Sequence, residues 1–132
     1  MRRLKINEIT VGCYADVRNE AAPDTKHIEK LTPAHFLRDK IWYGIEITPS
    51  FLEKNDFIEI KDVDEKIRHF QYQDNEYKID IYFTSWQTDR KTKNSRIVNV
   101  YGALFEQNAY LNYVHELQMI CQLYRIKKTF TM

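Results

Sequence analysis

His115 and Glu116 stand side by side, and both residue types take part in acid–base catalysis and in zinc binding. Adjacent residues of a helix point about 100° apart, so the two side chains would not converge on one ion. A zinc protease motif would also need a second histidine at position 119, where the chain has methionine. The other three histidines are scattered without ligand spacing, so we expect no metal site and no cofactor.

The segment around His115 suggests a second kind of site. Tyr113, His115 and Gln118 could share one polar patch at the start of a predicted helix, where exposed backbone N–H groups favour an anion. The simpler interpretation is that His115 hydrogen-bonds nearby backbone at the helix start. The simpler interpretation is favoured, and a site for a small anionic ligand stays an alternative.

A basic stretch, QTDRKTKNSR, follows Trp86 and is predicted to be a loop between two strands. Its four cationic residues are Arg90, Lys91, Lys93 and Arg96. Such cations could contact phosphates while the indole stacks on a base. The favoured interpretation is a solvated hairpin tip that its charge keeps soluble, and nucleic-acid binding stays an alternative.

Other reactive arrangements find little support in the sequence. The acidic residues Asp62, Asp64 and Glu65 lack the glycine that the sharp turn of an EF-hand loop requires. With three glycines in the whole chain, glycine-rich phosphate loops are excluded. Cys121 falls on the apolar side of a predicted helix, which favours a buried, inert thiol over a nucleophile. We therefore expect that the protein is not an enzyme.

Composition and charge narrow the class of protein. The 132 residues suit one domain, and a net charge of +1 provides no overall field that attracts nucleic acid or membrane. The N-terminus lacks the apolar segment of a secretory signal, and no apolar run approaches the ~20 residues that span a bilayer. The two cysteines are far apart, as expected of buried thiols in a reducing compartment. These features predict a cytoplasmic protein.

Local patterns predict the elements that would position these residues. Threonine–proline pairs at 32–33 and 48–49 supply a helix N-cap and a first helical residue, which predicts short helices near 32–39 and 48–55. Asn55 is placed to end the second helix in the left-handed conformation. The predicted strands are 9–17, 41–47, 57–61, 67–73, 77–84, 96–105 and 109–113.

The strand at 77–84 shows the cleanest alternation of apolar and polar residues. Its apolar face contains Ile79, Ile81 and Phe83. Its polar face contains Lys78, Asp80, Tyr82 and Thr84. The clearest helix spans about 114–124, where apolar residues form one continuous stripe. We therefore predict an α+β fold: a single antiparallel, aromatic-rich sheet of about four to six strands, with the C-terminal helix packed on one face.

Two segments resemble the pattern of a protein family. GIEITPSFLEKNDF at 44–57 is similar to PIPLTPEILEKNGF, and YVHELQMICQLYRIKK at 113–128 resembles YVHELQxxLxxxxIxK. Both patterns occur in a family of small uncharacterised proteins from Bacteroides-type bacteria, their prophages and other mobile elements. The resemblance implies a main α+β body at 44–132 and a variable, β-containing N-terminal part at 1–43, within one domain. Asp56 departs from the pattern, which has glycine there.

The nine tyrosines are the remaining unusual feature. Tyr82, on the polar face of its strand and near Trp86, suits a protein–protein interface, in which aromatic residues are enriched. Tyrosine also fits the half-buried surface of any sheet, and both explanations stay open.

Our preferred hypothesis is a binding protein that acts on a host or phage protein in the bacterial cytoplasm, for example as an inhibitor of host defence. The phage or mobile-element part of this hypothesis follows from the resemblance alone. The alternatives are a nucleic-acid-binding accessory protein and a sponge for a small anionic ligand. Membrane binding is not expected, and a homo-oligomer is compatible with the sequence.

Overall fold

The computed structural model describes residues 3–5, 8–10, 12–19, 24–32, 40–61, 67–87, 92–102 and 105–132. The strands are β1 (Tyr14–Asn19), β2 (Ile28–Lys30), β3 (Lys40–Tyr43), β4 (Ile58–Ile60), β5 (Arg68–Gln73), β6 (Tyr77–Gln87), β7 (Thr92–Gly102) and β8 (Phe105–Tyr110). The helices are α1 (Pro49–Lys54), which lies between β3 and β4, and α2 (Val114–Leu123), which follows β8.

These elements belong to two compact units. The first unit consists of Met1–Ile47, Tyr113–Phe130 and Met132, and the second consists of Thr48–Asn112 and Thr131. The body that the resemblance implies for residues 44–132 is therefore spread over both units. The assignment of the whole chain to one domain stays a prediction.

The first unit contains a three-stranded antiparallel sheet in the order β2–β1–β3, with α2 packed against β1. Strand β1 begins at Tyr14 instead of the predicted residue 9, because a turn precedes it. In this turn Gly12 has a φ of 91° and the N–H of Cys13 donates to the carbonyl of Thr10. Met119 of α2 packs against a buried apolar cluster. The cluster consists of Leu4, Ile9, Cys13, Ala15, Val17, Leu31 and Trp42.

The second unit is built on a five-stranded antiparallel sheet in which the strands follow chain order, β4–β5–β6–β7–β8. Three adjacent strands contribute fully buried side chains to one face, because Phe70 pairs with Ile81 and Ile81 pairs with Val98. The buried members of this face are Phe70, Ile79, Ile81, Val98 and Val100. Helix α1 belongs to the same unit and buries Phe51 and Leu52.

The predicted α+β class is confirmed, together with the antiparallel pairing of consecutive strands. One detail differs: the strands form two sheets instead of one, and the C-terminal helix packs against β1 of the three-stranded sheet. Alternation along a strand shows which residues share a face. It does not show which strands become neighbours, since pairing depends on residues that are distant in sequence.

Helix α1 begins as predicted but ends differently. The Oγ1 atom of Thr48 accepts a hydrogen bond from the N–H of Phe51 at 3.2 Å, and Pro49 is the first helical residue. The left-handed residue is Asp56, with a φ of 70°, and the prediction for Asn55 is wrong, since its φ is −104°. The side chain of Asn55 is buried, and its amide group pairs with the N–H and carbonyl of Thr131. These bonds hold Asn55, so the chain reverses one residue later.

Several strand boundaries also differ from the predictions. Strand β7 begins at Thr92, so residues 92–96 of the predicted basic loop belong to a strand. The backbone ladder with β6 continues through these residues, although their sequence shows no apolar alternation from which a strand could be predicted. Strand β8 spans Phe105–Tyr110 instead of 109–113. The helix predicted near 32–39 falls on residues 33–39, which lie outside the described residues.

Candidate functional site

The two faces of the five-stranded sheet differ in character. Residues directly opposite each other in an antiparallel pair lie on the same face, so the register assigns the residues of β4–β8 to one side or the other. The alternation predicted for β6 is confirmed, because Ile79 and Ile81 are fully buried while Asp80 and Tyr82 lie on the opposite face. We call this opposite face the outer face.

One row of side chains crosses the outer face from edge to edge. The members of this aromatic row, each paired with the next across neighbouring strands, are Ile60, His69, Tyr82, Ile97 and Tyr110. Because adjacent strands lie about 4.8 Å apart, the row is about 19 Å long. Both ends are exposed, Ile60 by 37% and Tyr110 by 76%, whereas the three central members are half-buried.

A buried carboxylate orders the centre of this face. Asp80 is 3% exposed, and its Oδ1 accepts hydrogen bonds from Nε2 of His69 at 2.7 Å and from Nε2 of Gln71 at 2.9 Å. Nζ of Lys78 lies 3.8 Å from the other carboxylate oxygen. The ring of His69 in turn stacks on Tyr82, with ring centroids 4.3 Å apart and planes 18° from parallel. Asp80 therefore positions His69, and His69 supports the ring of Tyr82.

Apolar side chains at the edges complete the outer face. Ile58 pairs with Gln71 beside the aromatic row and is 72% exposed. Among the described residues, the exposed large apolar side chains are Ile28, Ile58, Ile60, Tyr110 and Leu123. Three of these five lie on the outer face, so the exposure is concentrated on one surface instead of being scattered. The outer face thus has exposed apolar side chains at its edges and ordered aromatic and polar side chains at its centre.

Of the residues predicted to bind a partner, Tyr82 is the central member of the aromatic row. Trp86 lies four residues further along β6, where it pairs with Lys93 of β7. Tyr82 lies on the side of β6 opposite to the buried isoleucines. Whether the outer face binds a protein stays a prediction.

The basic residues predicted to bind nucleic acid do not form one loop. Lys93 and Arg96 belong to β7, where their backbones pair with those of Trp86 and Phe83 of β6. Arg90 and Lys91 lie outside the described residues. Nucleic-acid binding by residues 90–96 stays a prediction.

The start of α2 brings Tyr113 and His115 together but directs Gln118 to β1. The two rings stack with centroids 5.8 Å apart, and His115 is buried. Oε1 of Gln118 accepts a hydrogen bond from the N–H of Tyr14 at 2.8 Å, and its Nε2 donates to the carbonyl of Gly12 at 3.3 Å. Gln118 therefore ties α2 to β1, a structural role that its position in the sequence did not indicate.

A carboxylate already lies at this end of the helix. Oε1 of Glu116 accepts a hydrogen bond from the N–H of Tyr113 at 3.1 Å, as in a capping box. Its negative charge is favourable near the helix N-terminus, where a bound anion would have to share the space. Anion binding by Tyr113, His115 and Gln118 stays a prediction.

The first residues of the two segments that carry the family resemblance, at 44–47 and from 113 onwards, lie against each other in the first unit. The N–H of Val114 donates to the carbonyl of Ile45 at 2.8 Å, and Glu46 forms a β-bridge with Tyr113. The ring of Tyr113 also lies over Gly44, where an added Cβ would come 2.6 Å from the ring atom Cδ1. The ring of Tyr113 therefore leaves no room for a side chain at position 44 of this chain.

No protein-family model, curated protein or solved structure matches the chain. Within the described ranges, no three His, Cys, Asp or Glu side chains come close enough to hold a metal ion. In that same part of the chain, no helix is long and apolar enough to cross a membrane. The resemblance to the Bacteroides-type family stays a prediction, and the site is defined by its geometry alone.

Sequence patterns identified Tyr82 but not the row to which it belongs. The alternation in FIEIK and in IRHFQYQ could have grouped Ile58 with Ile60, and His69 with Gln71. The missing information was the register, which sets Ile60 opposite His69 and His69 opposite Tyr82.

We expect Asp80→Asn to lower the free energy of unfolding by about 1–2 kcal/mol, because hydrogen bonds to a charged acceptor contribute roughly twice as much as neutral ones. Glu59→Gln is the matched control, since Glu59 forms an ion pair with Arg68 on the same sheet while both side chains are exposed. Urea unfolding at pH 7 measures both changes. Equal effects of the two substitutions would contradict the role assigned to Asp80.

Cys121 lies on the buried side of α2, as predicted, and burial raises the pKa of its thiol to about 12, against a smaller opposing effect of Lys128. The folded chain therefore favours the neutral thiol, and the resulting stability is present below about pH 9 and lost as the pH rises from 9 towards 12. We expect iodoacetamide to leave Cys121 unmodified at pH 8 in the native protein and to modify it in guanidinium chloride. Peptide mass spectrometry measures the modification of Cys121 under both conditions. Fast modification of the native protein would contradict the prediction, because it would show that the thiol is accessible.

Proposed function

We propose that this protein binds another protein through the outer face of its five-stranded sheet and catalyses no reaction. The observation that supports this proposal is the aromatic row, which continues over all five strands and is exposed at both ends. Interfaces are enriched in aromatic residues at their centre and have polar groups around them. The outer face has Tyr82 in the middle of its aromatic row and the polar side chain of Gln71 beside that row.

The order of the outer face favours tight binding. His69 and Tyr82 are stacked, and the buried carboxylate of Asp80 holds His69 before any partner arrives. A side chain that is already fixed loses little conformational entropy on binding, so more of the contact energy appears as affinity. We therefore infer that Tyr82 is the centre of the interface, with Ile60 and Tyr110 at its two ends.

The expected partner is a bacterial protein with an apolar strip about 19 Å long. Hydrogen-bonding groups beside that strip would meet Gln71, which lies on the outer face next to the aromatic row, and Lys78, which lies on the same face beyond Asp80. The resemblance to proteins of Bacteroides-type bacteria and their mobile elements favours a phage or mobile-element protein that acts on a host protein in the cytoplasm. Inhibition of a host defence system is one such activity.

The proposal predicts that Tyr110→Asp lowers the affinity for the partner at least ~10-fold, because a charge would replace an apolar contact at the end of the row. The experiment captures proteins from a lysate of a Bacteroides-type bacterium on the immobilised wild-type chain and on the variant. The Kd of a purified captured protein is then measured for both. Tyr110 is 76% exposed, so the substitution should leave the fold intact.

Leu123→Asp is the matched control, since Leu123 is 72% exposed but belongs to α2 in the first unit. The proposal requires a protein that the wild-type chain and the control bind equally and Tyr110→Asp binds weakly. Capture of nothing specific, or equal binding by all three chains, would contradict it. Binding that nuclease treatment abolishes would favour the nucleic-acid alternative instead.

A further inference from the structure

A small cavity lies beside the C-terminal end of α2 in the first unit. Its volume is about 220 Å³, which is below the usual range for drug-sized ligands and suits a small molecule. The left-handed Arg125, with a φ of 57°, turns the chain after α2, and the segment that follows contributes to the cavity. The rest of the lining comes from α2, from β2 and from the turn before β1.

Two glutamines of α2 line this cavity, and what they can still offer a ligand is an N–H donor. Oε1 of Gln118 already accepts a hydrogen bond from the N–H of Tyr14, and Oε1 of Gln122 accepts one from the hydroxyl of Thr10 at 3.4 Å. Gln118 is only 8% exposed, and one N–H of its Nε2 donates to the carbonyl of Gly12. The second N–H of that nitrogen has no partner among the described residues, so a ligand with acceptor oxygens would satisfy it.

Two lysines give the cavity a positive charge. Lys30 of β2 and Lys128 of the segment after α2 both line it, and no Asp or Glu side chain is among the described residues that do so. Nζ of Lys128 lies 5.7 Å from the centre of the Phe130 ring, a contact that supports the ammonium group without neutralising its charge. Cations and N–H donors therefore surround one space, which is the chemistry that binds an oxyanion.

The C-terminal end of α2 does little to oppose an anion here. The last carbonyl groups of a helix carry partial negative charge. In this chain the carbonyl of Cys121 accepts a hydrogen bond from the N–H of Ile126 at 2.8 Å, and that of Gln122 accepts one from the N–H of Arg125 at 3.1 Å. These bonds have the pattern of a Schellman motif and compensate the two carbonyl groups that lie nearest the cavity lining.

We propose that this cavity binds the phosphate group of a small molecule. A phosphate monoester carries a charge of about −1.5 to −2 near pH 7, which the two lysines match. Its oxygens accept hydrogen bonds from the ammonium groups and from the amide of Gln118. The buried side chains of Ile126 and Phe130 also line the cavity and give apolar contact to the remainder of an organic phosphate.

This site is distinct from the other sites considered. Of the polar patch predicted at the start of α2, only Gln118 lines the cavity. The outer face proposed to bind a protein belongs to the second unit, whereas all of the lining residues belong to the first. Loss of phosphate binding would therefore leave the proposed protein interaction in place.

Isothermal titration calorimetry of the full chain at pH 7 and constant ionic strength tests the proposal with inorganic phosphate, glycerol 3-phosphate and acetate. We expect saturable binding of a phosphate probe at one site with a Kd below ~1 mM, and acetate binding at least ~10-fold weaker because acetate carries a single charge. Tighter binding of glycerol 3-phosphate would identify an organic phosphate as the ligand, and tighter binding of inorganic phosphate would identify the free ion. No saturable binding of either phosphate probe, or equally tight binding of acetate, overturns the proposal.

Lys30→Gln and Lys128→Gln should each raise the Kd for phosphate at least ~10-fold, because each removes a charged donor while it keeps most of the side-chain stem. Lys127→Gln is the matched control, since Lys127 is exposed and precedes Lys128 but is not among the described residues that line the cavity. Circular dichroism verifies that each variant is folded. An unchanged Kd in both cavity variants, or an equal loss of affinity in Lys127→Gln, overturns the proposal.

Discussion

The candidate binding face depends on one constraint. Successive side chains of β6 point to opposite faces of the sheet, and the pairing with β5 and β7 fixes which of them are buried. Ile79 and Ile81 are fully buried. Ile81 lies between Phe70 of β5 and Val98 of β7, and Ile79 lies between Tyr72 of β5 and Val100 of β7. A shift of the register by one residue would expose these isoleucines, which costs about 1.5–3 kcal/mol for each large apolar side chain. Because these isoleucines must stay buried on one face, the residues that alternate with them must lie on the outer face.

One consequence of this constraint is the position of Asp80 on the outer face. A carboxylate with 3% exposure must be compensated, and here it accepts hydrogen bonds from His69 and Gln71 of the neighbouring strand. These bonds link the position of the carboxylate to the stacked ring of Tyr82 through His69. A polar group at the centre of the outer face thus orders the middle of the aromatic row, so the surface proposed to bind a partner is already arranged.

Features that depend on neighbours in the chain were predictable from the sequence. The Thr48 cap, the alternation in β6 and the start of α2 at Val114 all follow local rules. Features that depend on distant residues were not predictable. The division into two sheets follows from the choice of strand partners, and the left-handed residue is Asp56 because Asn55 is held by Thr131, 76 residues away. The aromatic row belongs to this second kind, since it exists only through the register of five strands.

The central claim is that a partner protein meets the outer face of the sheet and not its other side. Photo-crosslinking tests it directly, with a benzophenone amino acid placed at one of three tyrosine positions: Tyr82 and Tyr110 on the aromatic row, or Tyr72 on the other face of β5. All three positions carry a tyrosine in the native chain, so each substitution replaces the same type of side chain. The account predicts cross-links to the same bacterial protein from positions 82 and 110 and none from position 72. Cross-links from position 72 alone would contradict it.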